Sequence, residues 1–172
     1  MNQVRRLWIW LTRVHRSFGF GIQSPTDYGF VRSVVNEHWP YYAYNEIDES
    51  NWQRRKLGRL YFRLANWRKP KCMCDNPYSK WFIAGSHNIN LVEEINRVEL
   101  ERVVICDHDR INTLLEKCDQ ESILVVEDIY IDWDRWRRIV NDERVGTTFD
   151  LYYCGIVFFD TQRFKHNYVI NF

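Results

Sequence analysis

The sequence predicts an α/β protein in which helices cover a mostly parallel sheet that closes with an antiparallel pair of strands. Two patterns predict this fold class. Beyond residue 70, short apolar runs alternate with stretches of helical character, and such alternation indicates a parallel sheet. Near the end of the chain, strand-like runs at 145–153 and 155–160 are separated by one residue, which leaves room only for an antiparallel turn.

Residues 1–69 are predicted to form a helical segment that packs on a sheet domain comprising residues 70–172. Apolar side chains recur at helical spacing along residues 4–18, and the glycines of 19–23 end this first helix. We expect the helix to dock on the sheet domain or on a second subunit, with arginine stems covering apolar surface. Its apolar stripe consists of Val4, Leu7, Trp8, Leu11, Val14 and Phe18.

Two further helices are predicted in the N-terminal segment. Ser24-Pro25 is typical of an N-cap followed by the first residue of a helix, which we expect to continue to residue 37. An aromatic loop follows at 38–44. The third helix is predicted at 50–67, with an apolar face made of Leu57, Leu60, Tyr61 and Leu64.

In the sheet domain, short strands and helices are expected to alternate. The predicted strands are 71–75, 89–92, 102–106, 123–126, 145–153, 155–160 and 167–172. The predicted helices are 77–84, 109–117 and 132–141. For residues 71–84 the sequence also permits a hairpin across Asn76-Pro77-Tyr78-Ser79, because so short a gap barely admits a crossover helix. We favour a strand followed by a helix.

Charge is distributed unevenly along a chain whose net charge is only +1. Residues 1–69 contain 12 Lys and Arg against 5 Asp and Glu, whereas residues 70–172 contain 12 against 18. The simplest interpretation is that the basic segment packs on an acidic core. The alternative is that the basic, aromatic N-terminus binds nucleic acid or an acidic membrane surface, and this rests on charge alone.

Composition indicates a cytoplasmic protein. The five cysteines are odd in number and scattered, which suits a reducing compartment. The apolar run at 7–11 is too short for a secretory signal, and no apolar stretch approaches the length of a transmembrane segment. The aromatic content of 16% predicts a dense core and favours self-association, so a homo-oligomer is expected.

Acidic residues follow four of the predicted strands, and parallel strands bring such residues to one edge of the sheet, where ligands bind. They are Asp75, Glu93-Glu94, Asp107-His108 and Glu127-Asp128. His108 is a candidate general base because imidazole titrates near neutral pH. The alternative is that the acids cap helices, since Asp107 and Asp128 each precede a helix candidate, and that His108 is merely exposed.

The order of strands and helices, with its acidic strand ends and terminal antiparallel pair, resembles the class I S-adenosylmethionine-dependent methyltransferases over residues 71–172. The N-terminal helices resemble an addition found in some small-molecule O-methyltransferases. The resemblance implies a doubly wound, Rossmann-like sheet. It also implies that Asp75 and Glu93 bind S-adenosylmethionine, and that Asp107, His108 and Asp128 position or deprotonate a small hydroxyl or amine acceptor.

The chain departs from this family in its cofactor half. In place of the family's glycine-rich turn it has Asp75-Asn76-Pro77-Tyr78, with no glycine before Gly85. Between Glu94 and the strand at 102–106 there is too little chain for a third strand and its helix. The sequence therefore predicts a reduced, non-catalytic methyltransferase-like protein that acts as a binding or assembly module. The alternative is an active methyltransferase.

No metal site is expected. Three acids, Asp107, Glu127 and Asp128, resemble the carboxylates that hold Mg²⁺ in cation-dependent O-methyltransferases. The asparagine that usually completes such a site is not evident in the sequence. The cysteines and histidines do not form a C-x2-C pair of the kind that binds zinc.

Overall fold

The computed structural model describes residues 3–19, 21–162 and 164–172. Phe20, in the predicted break after the first helix, lies outside the described residues, as do the side chains of Val4 and Phe18. The N-terminal segment contains α1 (Gln3–Arg13) with a 3-10 turn (Val14–Gly19), α2 (Pro25–Phe30) with a π-helical turn (Val31–Val35), α3 (Ala43–Glu46) and α4 (Trp52–Arg68).

The sheet domain alternates strands and helices before it closes with three strands. Its elements are β1 (Cys72–Cys74), α5 (Ser79–Gly85), β2 (Asn90–Val92), β3 (Leu100–Val104), α6 (His108–Glu116), β4 (Ile123–Glu127), α7 (Trp133–Asn141), β5 (Thr147–Asp150), β6 (Cys154–Phe158) and β7 (His166–Val169). The predicted α/β class is therefore confirmed.

Five strands form one mixed sheet in the order β3-β4-β6-β5-β7. Strands β3 and β4 are parallel, and β6 is antiparallel to both β4 and β5. The antiparallel pair expected at the end of the chain is thus present. The last strand, β7, pairs parallel with β5 at the edge of the sheet.

Strands β1 and β2 form a separate parallel pair that lies beside β3. Carboxylates from the β3 region reach across to the backbone of β1. The amide of Lys71 donates to Glu99 Oε2 at 2.6 Å, and the amide of Cys74 donates to Glu101 Oε1 at 2.5 Å. From the first contact to the second, the residue number increases both along β1 and along β3, so the two strands run parallel. They are joined by these side-chain hydrogen bonds, and they belong to separate sheets.

Several predicted bounds were wrong. The strand expected at 102–106 is Leu100–Val104, because the chain leaves the sheet to let Asp107 cap α6. The hairpin alternative at 71–84 does not form, since β1 pairs with β2 and α5 lies between them. The aromatic loop at 38–44 runs into the short helix α3. The helix expected to reach residue 37 ends in the π-helical turn.

Helices pack on both faces of the sheet. Because the side chains of a strand alternate between the two faces, β4 contributes to both clusters. On β4, Ile123 and Val125 pack with residues of α2, α4 and α5. Leu124 and Val126 pack in a second cluster with residues of α6 and α7. Strand β4 is buried along its whole length, as the apolar run at 123–126 predicts, and its burial includes the terminal Glu127.

Helix α1 is oriented differently from the usual amphipathic helix. It contacts the sheet domain through Ile9, which is buried, and through Arg13, whose guanidinium forms two hydrogen bonds of 2.9 and 3.1 Å with the Asp150 carboxylate. Its apolar stripe faces outward, with exposed fractions of 66% for Trp8 and 53% for Leu11. None of the helices in the described ranges is both long and apolar enough to cross a membrane.

Candidate functional site

The two residues predicted to bind the cofactor are both exposed at the ends of their strands. Asp75 follows β1, and its Oδ1 accepts a 2.7 Å hydrogen bond from the Ser79 hydroxyl, which holds the first turn of α5. Glu93 follows β2. Neither residue lines the cavities described below.

The turn after β1 uses its own polar groups internally. The amide of Asn76 donates to Ser79 Oγ at 2.9 Å, and the amide of Tyr78 donates to Asn76 Oδ1 at 2.9 Å. The amide of Ser79 donates to the Asn76 carbonyl at 3.0 Å, and Pro77 has no amide hydrogen. The amides of Asn76, Tyr78 and Ser79 are therefore engaged within the turn, and the turn lacks the glycine that would let a cofactor approach the backbone. These residues do not fit S-adenosylmethionine.

Asp107 caps α6, as the capping alternative predicted. Its carboxylate accepts a hydrogen bond from the amide of Arg110 at 3.2 Å, and its side chain is exposed. His108, the first residue of α6, has a half-exposed side chain whose Nε2 lies 3.8 Å from Asp132 Oδ2. Asp132 in turn caps α7 by accepting from the amide of Arg135. Asp107 and His108 thus lie at helix ends facing solvent.

Asp128 is the predicted catalytic residue with the most unusual surroundings. Its backbone has a φ of +58°, a left-handed conformation that aspartate tolerates better than most residues. Burial raises the pKa of its half-buried carboxyl group, and the nearby charge of Glu127 raises it further, while a hydrogen bond with Tyr130 opposes both. The structure brings Asp128 close to Glu127 and not to Asp107 or His108 by any described contact.

The best-organised polar site is a buried cluster around Glu127, which we call the Glu127 cluster and which also contains Tyr61, Tyr78 and Arg102. The hydroxyl of Tyr61 donates to Glu127 Oε1 at 2.5 Å, and Arg102 forms an ion pair with Oε2. The guanidinium carbon of Arg102 lies 5.4 Å from the centre of the Tyr78 ring. The cluster joins α4, β3, β4 and the turn after β1.

The two tyrosines of the cluster are held neutral. Burial raises the pKa of Tyr61 well above its ordinary value, and the charge of Glu127 raises it further. Burial also raises the pKa of Tyr78, with Glu127 adding to the effect and Arg102 opposing it. Their rings meet edge to face at 4.9 Å. A neutral tyrosine hydroxyl next to a carboxylate can donate a hydrogen bond but cannot act as a base.

Three members of this cluster were not predicted from the sequence as site residues, namely Tyr61, Tyr78 and Arg102. One signal was available, because Arg102 and Glu101 are neighbouring charges inside a strand that is otherwise apolar. Charges inside a buried strand need partners. Glu101 lies on the opposite face from Arg102 and is buried, and burial raises its pKa while the amide of Cys74 opposes that rise. For Tyr61, helical spacing predicts only a place on the apolar face of its helix.

The part of the chain that the structure describes contains no group of three or more His, Cys, Asp and Glu side chains that could hold a metal ion. Of the three acids that resemble magnesium ligands, Asp128 lies close to Glu127, whereas Asp107 caps α6. Glu127 is already engaged by Arg102 and Tyr61.

Open cavities lie against the N-terminal segment. One of about 440 Å³ lies between α1 and α4 and is lined by Trp10, Trp52 and Phe172 among others. A second, of about 250 Å³, adjoins it and is lined by arginines of α4.

Comparison with known proteins gives no family for this chain. No protein-family model matches it. No curated protein and no solved structure matches it either. Its function therefore has to be inferred from its own residues and their geometry.

Proposed function

We propose that this chain is a reduced methyltransferase-like protein that transfers no methyl group and works as a binding or assembly module. The strand arrangement supports the likeness. Strand β6 lies antiparallel between β4 and β5, and the parallel pair β1–β2 lies on the far side of β3. This order supports assigning the fold to a doubly wound, Rossmann-like sheet that lacks a third strand.

The observation that carries the loss of catalysis is that the carboxyl edge of the sheet is filled by the chain's own side chains. Tyr78 is 5% exposed and lies over Arg102, and Glu127 is held by Arg102 and Tyr61. The turn that should receive the cofactor satisfies its own amides. A cofactor would have to displace buried, mutually bonded groups, which costs their full desolvation.

Calorimetric titration with S-adenosylmethionine and S-adenosylhomocysteine tests this proposal. We expect no binding up to millimolar ligand from protein whose circular dichroism and cooperative unfolding show that it is folded. Micromolar binding that Glu93→Ala abolishes, and that the neighbouring exposed Glu94→Ala leaves unchanged, would contradict it. That result would favour an active methyltransferase acting on a small hydroxyl or amine acceptor, with Asp107, His108 and Asp128 at its centre.

The outward-facing stripe of α1 supports an assembly role, in which a second copy of the chain covers it. Leu7, Trp8, Trp10, Leu11 and Val14 are all more than 40% exposed. With up to about 250 Å² for each indole, they present on the order of 500 Å² of apolar surface, which is at the upper end of what monomeric proteins expose.

The shape of this face also favours a second copy. A symmetric dimer needs a surface that carries both projections and recesses. Trp10 projects beside the 440 Å³ cavity next to Trp52, and Trp8 projects beside a cavity of about 330 Å³ next to Trp133. Each of these indoles therefore lies next to a recess that an indole of a second copy can enter.

Sedimentation velocity at micromolar concentration measures this association. We expect a dimer for the wild type, a monomer for Leu11→Glu, and a dimer for Leu91→Glu, which places the same charge on an exposed leucine far along the chain. A monomeric wild type would contradict the proposal. If that monomer sedimented with anionic vesicles and Leu11→Glu did not, the face would bind a membrane surface.

A further inference from the structure

A stripe of cations runs along one face of α4. The helix contains six Lys and Arg residues and no Asp or Glu. Four of the cations recur at helical spacing on the face that begins with Trp52, and they are Arg55, Lys56, Arg59 and Arg63. The opposite face of α4 enters the core through Leu57, Leu60 and Leu64.

This stripe forms one wall of the 250 Å³ cavity introduced above. The other wall is the chain that leaves the π-helical turn, including Asn36, Glu37 and His38. A third cavity, of about 210 Å³, adjoins the 250 Å³ cavity and shares His38, Arg59 and Arg63 with it. Four cations therefore line a recess that has a single acidic side chain, Glu37. The Glu37 carboxylate accepts a 2.7 Å hydrogen bond from the Tyr41 hydroxyl.

The cation deepest in this recess has only neutral partners among the described residues. Arg63 is 6% exposed and donates to the carbonyls of Val34 and Val35 at 2.5 and 3.0 Å, and to the Tyr44 hydroxyl at 3.3 Å. Glu37 lines the same recess but forms no ion pair with Arg63 in the described part of the chain, and a buried charge that is not paired is costly. An anion in the adjoining recess would lower that cost.

Two further groups can receive a bound anion. Arg59 is exposed, lies 5.0 Å over the Tyr44 ring and forms no ion pair within the described ranges. The side-chain nitrogen of Asn36 is buried and has no hydrogen-bond partner in the described part of the chain. A guanidinium fork and an amide donor suit the oxygens of a phosphate group.

The recess also has an aromatic wall. Trp52 and Phe172 line it, and the Lys56 ammonium lies 5.2 and 4.5 Å from the centres of their rings. Indole and phenyl rings next to cations are the surfaces on which flat rings stack in phosphate-bearing ligands.

We propose that this cavity binds a phosphate ester of a flat ring, the chemical class of the mononucleotides, with the phosphate at Arg59, Arg63 and Asn36 and the ring against Trp52 and Phe172. The ligand is either a free mononucleotide or the phosphorylated end of a single strand, which share this chemistry. The inference goes beyond the proposed function and does not rest on it. The cavity shares no residue with the Glu127 cluster, and it shares Trp52, Lys56 and Phe172 with the 440 Å³ cavity next to Trp10.

Titration with AMP, adenosine and inorganic phosphate, followed by tryptophan fluorescence and calorimetry, tests the site. We expect AMP to bind at least about tenfold more tightly than adenosine, because one charge-assisted hydrogen bond contributes that much. Arg59→Gln should weaken AMP binding by about tenfold or more. Arg137→Gln, which removes an exposed arginine from α7, should leave it unchanged.

A decanucleotide with a 5′-phosphate, compared with the same strand without it, separates the two sources. Tighter binding of the phosphorylated strand than of AMP, lost in Arg59→Gln, supports the site and identifies a strand end as its ligand. Equal binding of AMP and adenosine, no binding of either, or an effect of Arg137→Gln equal to that of Arg59→Gln would overturn the proposal.

Discussion

Tyr61 on α4 and Glu127 at the end of β4 are joined by a 2.5 Å hydrogen bond between the phenol and the carboxylate, in the buried interior. This contact ties the N-terminal helical segment to the central strand of the sheet. Because Arg102 binds the other oxygen of the same carboxylate, three elements meet at one charge. The edge at which an α/β sheet usually binds its ligand is here part of the core.

Removing the Tyr61 hydroxyl should destabilise the protein. We expect Tyr61→Phe to lower the free energy of unfolding by about 1–3 kcal/mol, because a buried carboxylate oxygen loses its donor. Urea denaturation measures this change. Tyr168→Phe is the matched control, since that hydroxyl bonds Asp27 at 3.2 Å in a part-buried setting and should cost less than about 1 kcal/mol. Equal losses of stability in the two variants would show that the Tyr61–Glu127 hydrogen bond contributes no more than the Tyr168–Asp27 hydrogen bond.

The raised pKa of Asp128 predicts a pH-dependent effect of Asp128→Asn. Folded Asp128 holds its proton more tightly than the unfolded chain does, so the wild type loses stability as pH rises from the ordinary pKa through the folded pKa. Asparagine avoids that loss and also tolerates the left-handed backbone. The variant should be more stable than the wild type at pH 7, and the difference should vanish below about pH 3.5.

Urea unfolding between pH 3 and pH 7 checks this dependence on Asp128. The exposed Asp134→Asn, in the first turn of α7, serves as the control and should show no such trend. A constant advantage of Asp128→Asn at every pH would mean that backbone conformation, and not the carboxyl proton, is responsible.

Gly155 of β6 is required by the packing of α7, because a Cβ at this position would overlap the ring of Trp136. Gly155→Ala should destabilise the protein by about 1–3 kcal/mol through overpacking. In a Trp136→Ala background the same substitution should cost much less, because the ring is gone. Thermal and urea unfolding of the four proteins in this cycle measure the coupling.

Gly29 provides a second comparison for the Gly155 cycle. A Cβ there meets nothing within 4 Å, and Gly29 lies in α2. Gly29→Ala should therefore stabilise the helix by about 0.5–1 kcal/mol.

If Gly155→Ala lowered the free energy of unfolding equally with and without the Trp136 ring, the close approach of that ring to Gly155 would not be the cause.

The docking of α1 depends on the pair formed by Arg13 and Asp150. Both side chains are mostly buried, and Arg13 also lies 5.3 Å over the Tyr152 ring. Arg13→Ala should release the helix, so that limited proteolysis cleaves within residues 3–19 several times faster while the remaining domain stays intact. Arg137→Ala on α7 should leave the cleavage rate unchanged. Equal rates for all three proteins would show that the pair of Arg13 and Asp150 does not hold α1 in place.

Local patterns in the sequence were enough to predict much of the secondary structure. Ser24 caps α2 by accepting from the amide of Asp27, and Asp107 caps α6, because capping involves residues three apart. The apolar run of β4 predicted a buried strand, and the close spacing of β5 and β6 predicted an antiparallel pair. These features depend on neighbours along the chain, so the sequence alone carries them.

Tertiary structure decided what the acids and aromatics do. Tyr61 and Glu127 are 66 positions apart, and only the packing of α4 on β4 makes them partners. The periodicity of α1 predicted an apolar stripe correctly, but its outward orientation follows from the pairing of Arg13 with Asp150, 137 residues away. Since desolvation and ion pairing depend on which distant groups meet, no local pattern could determine them.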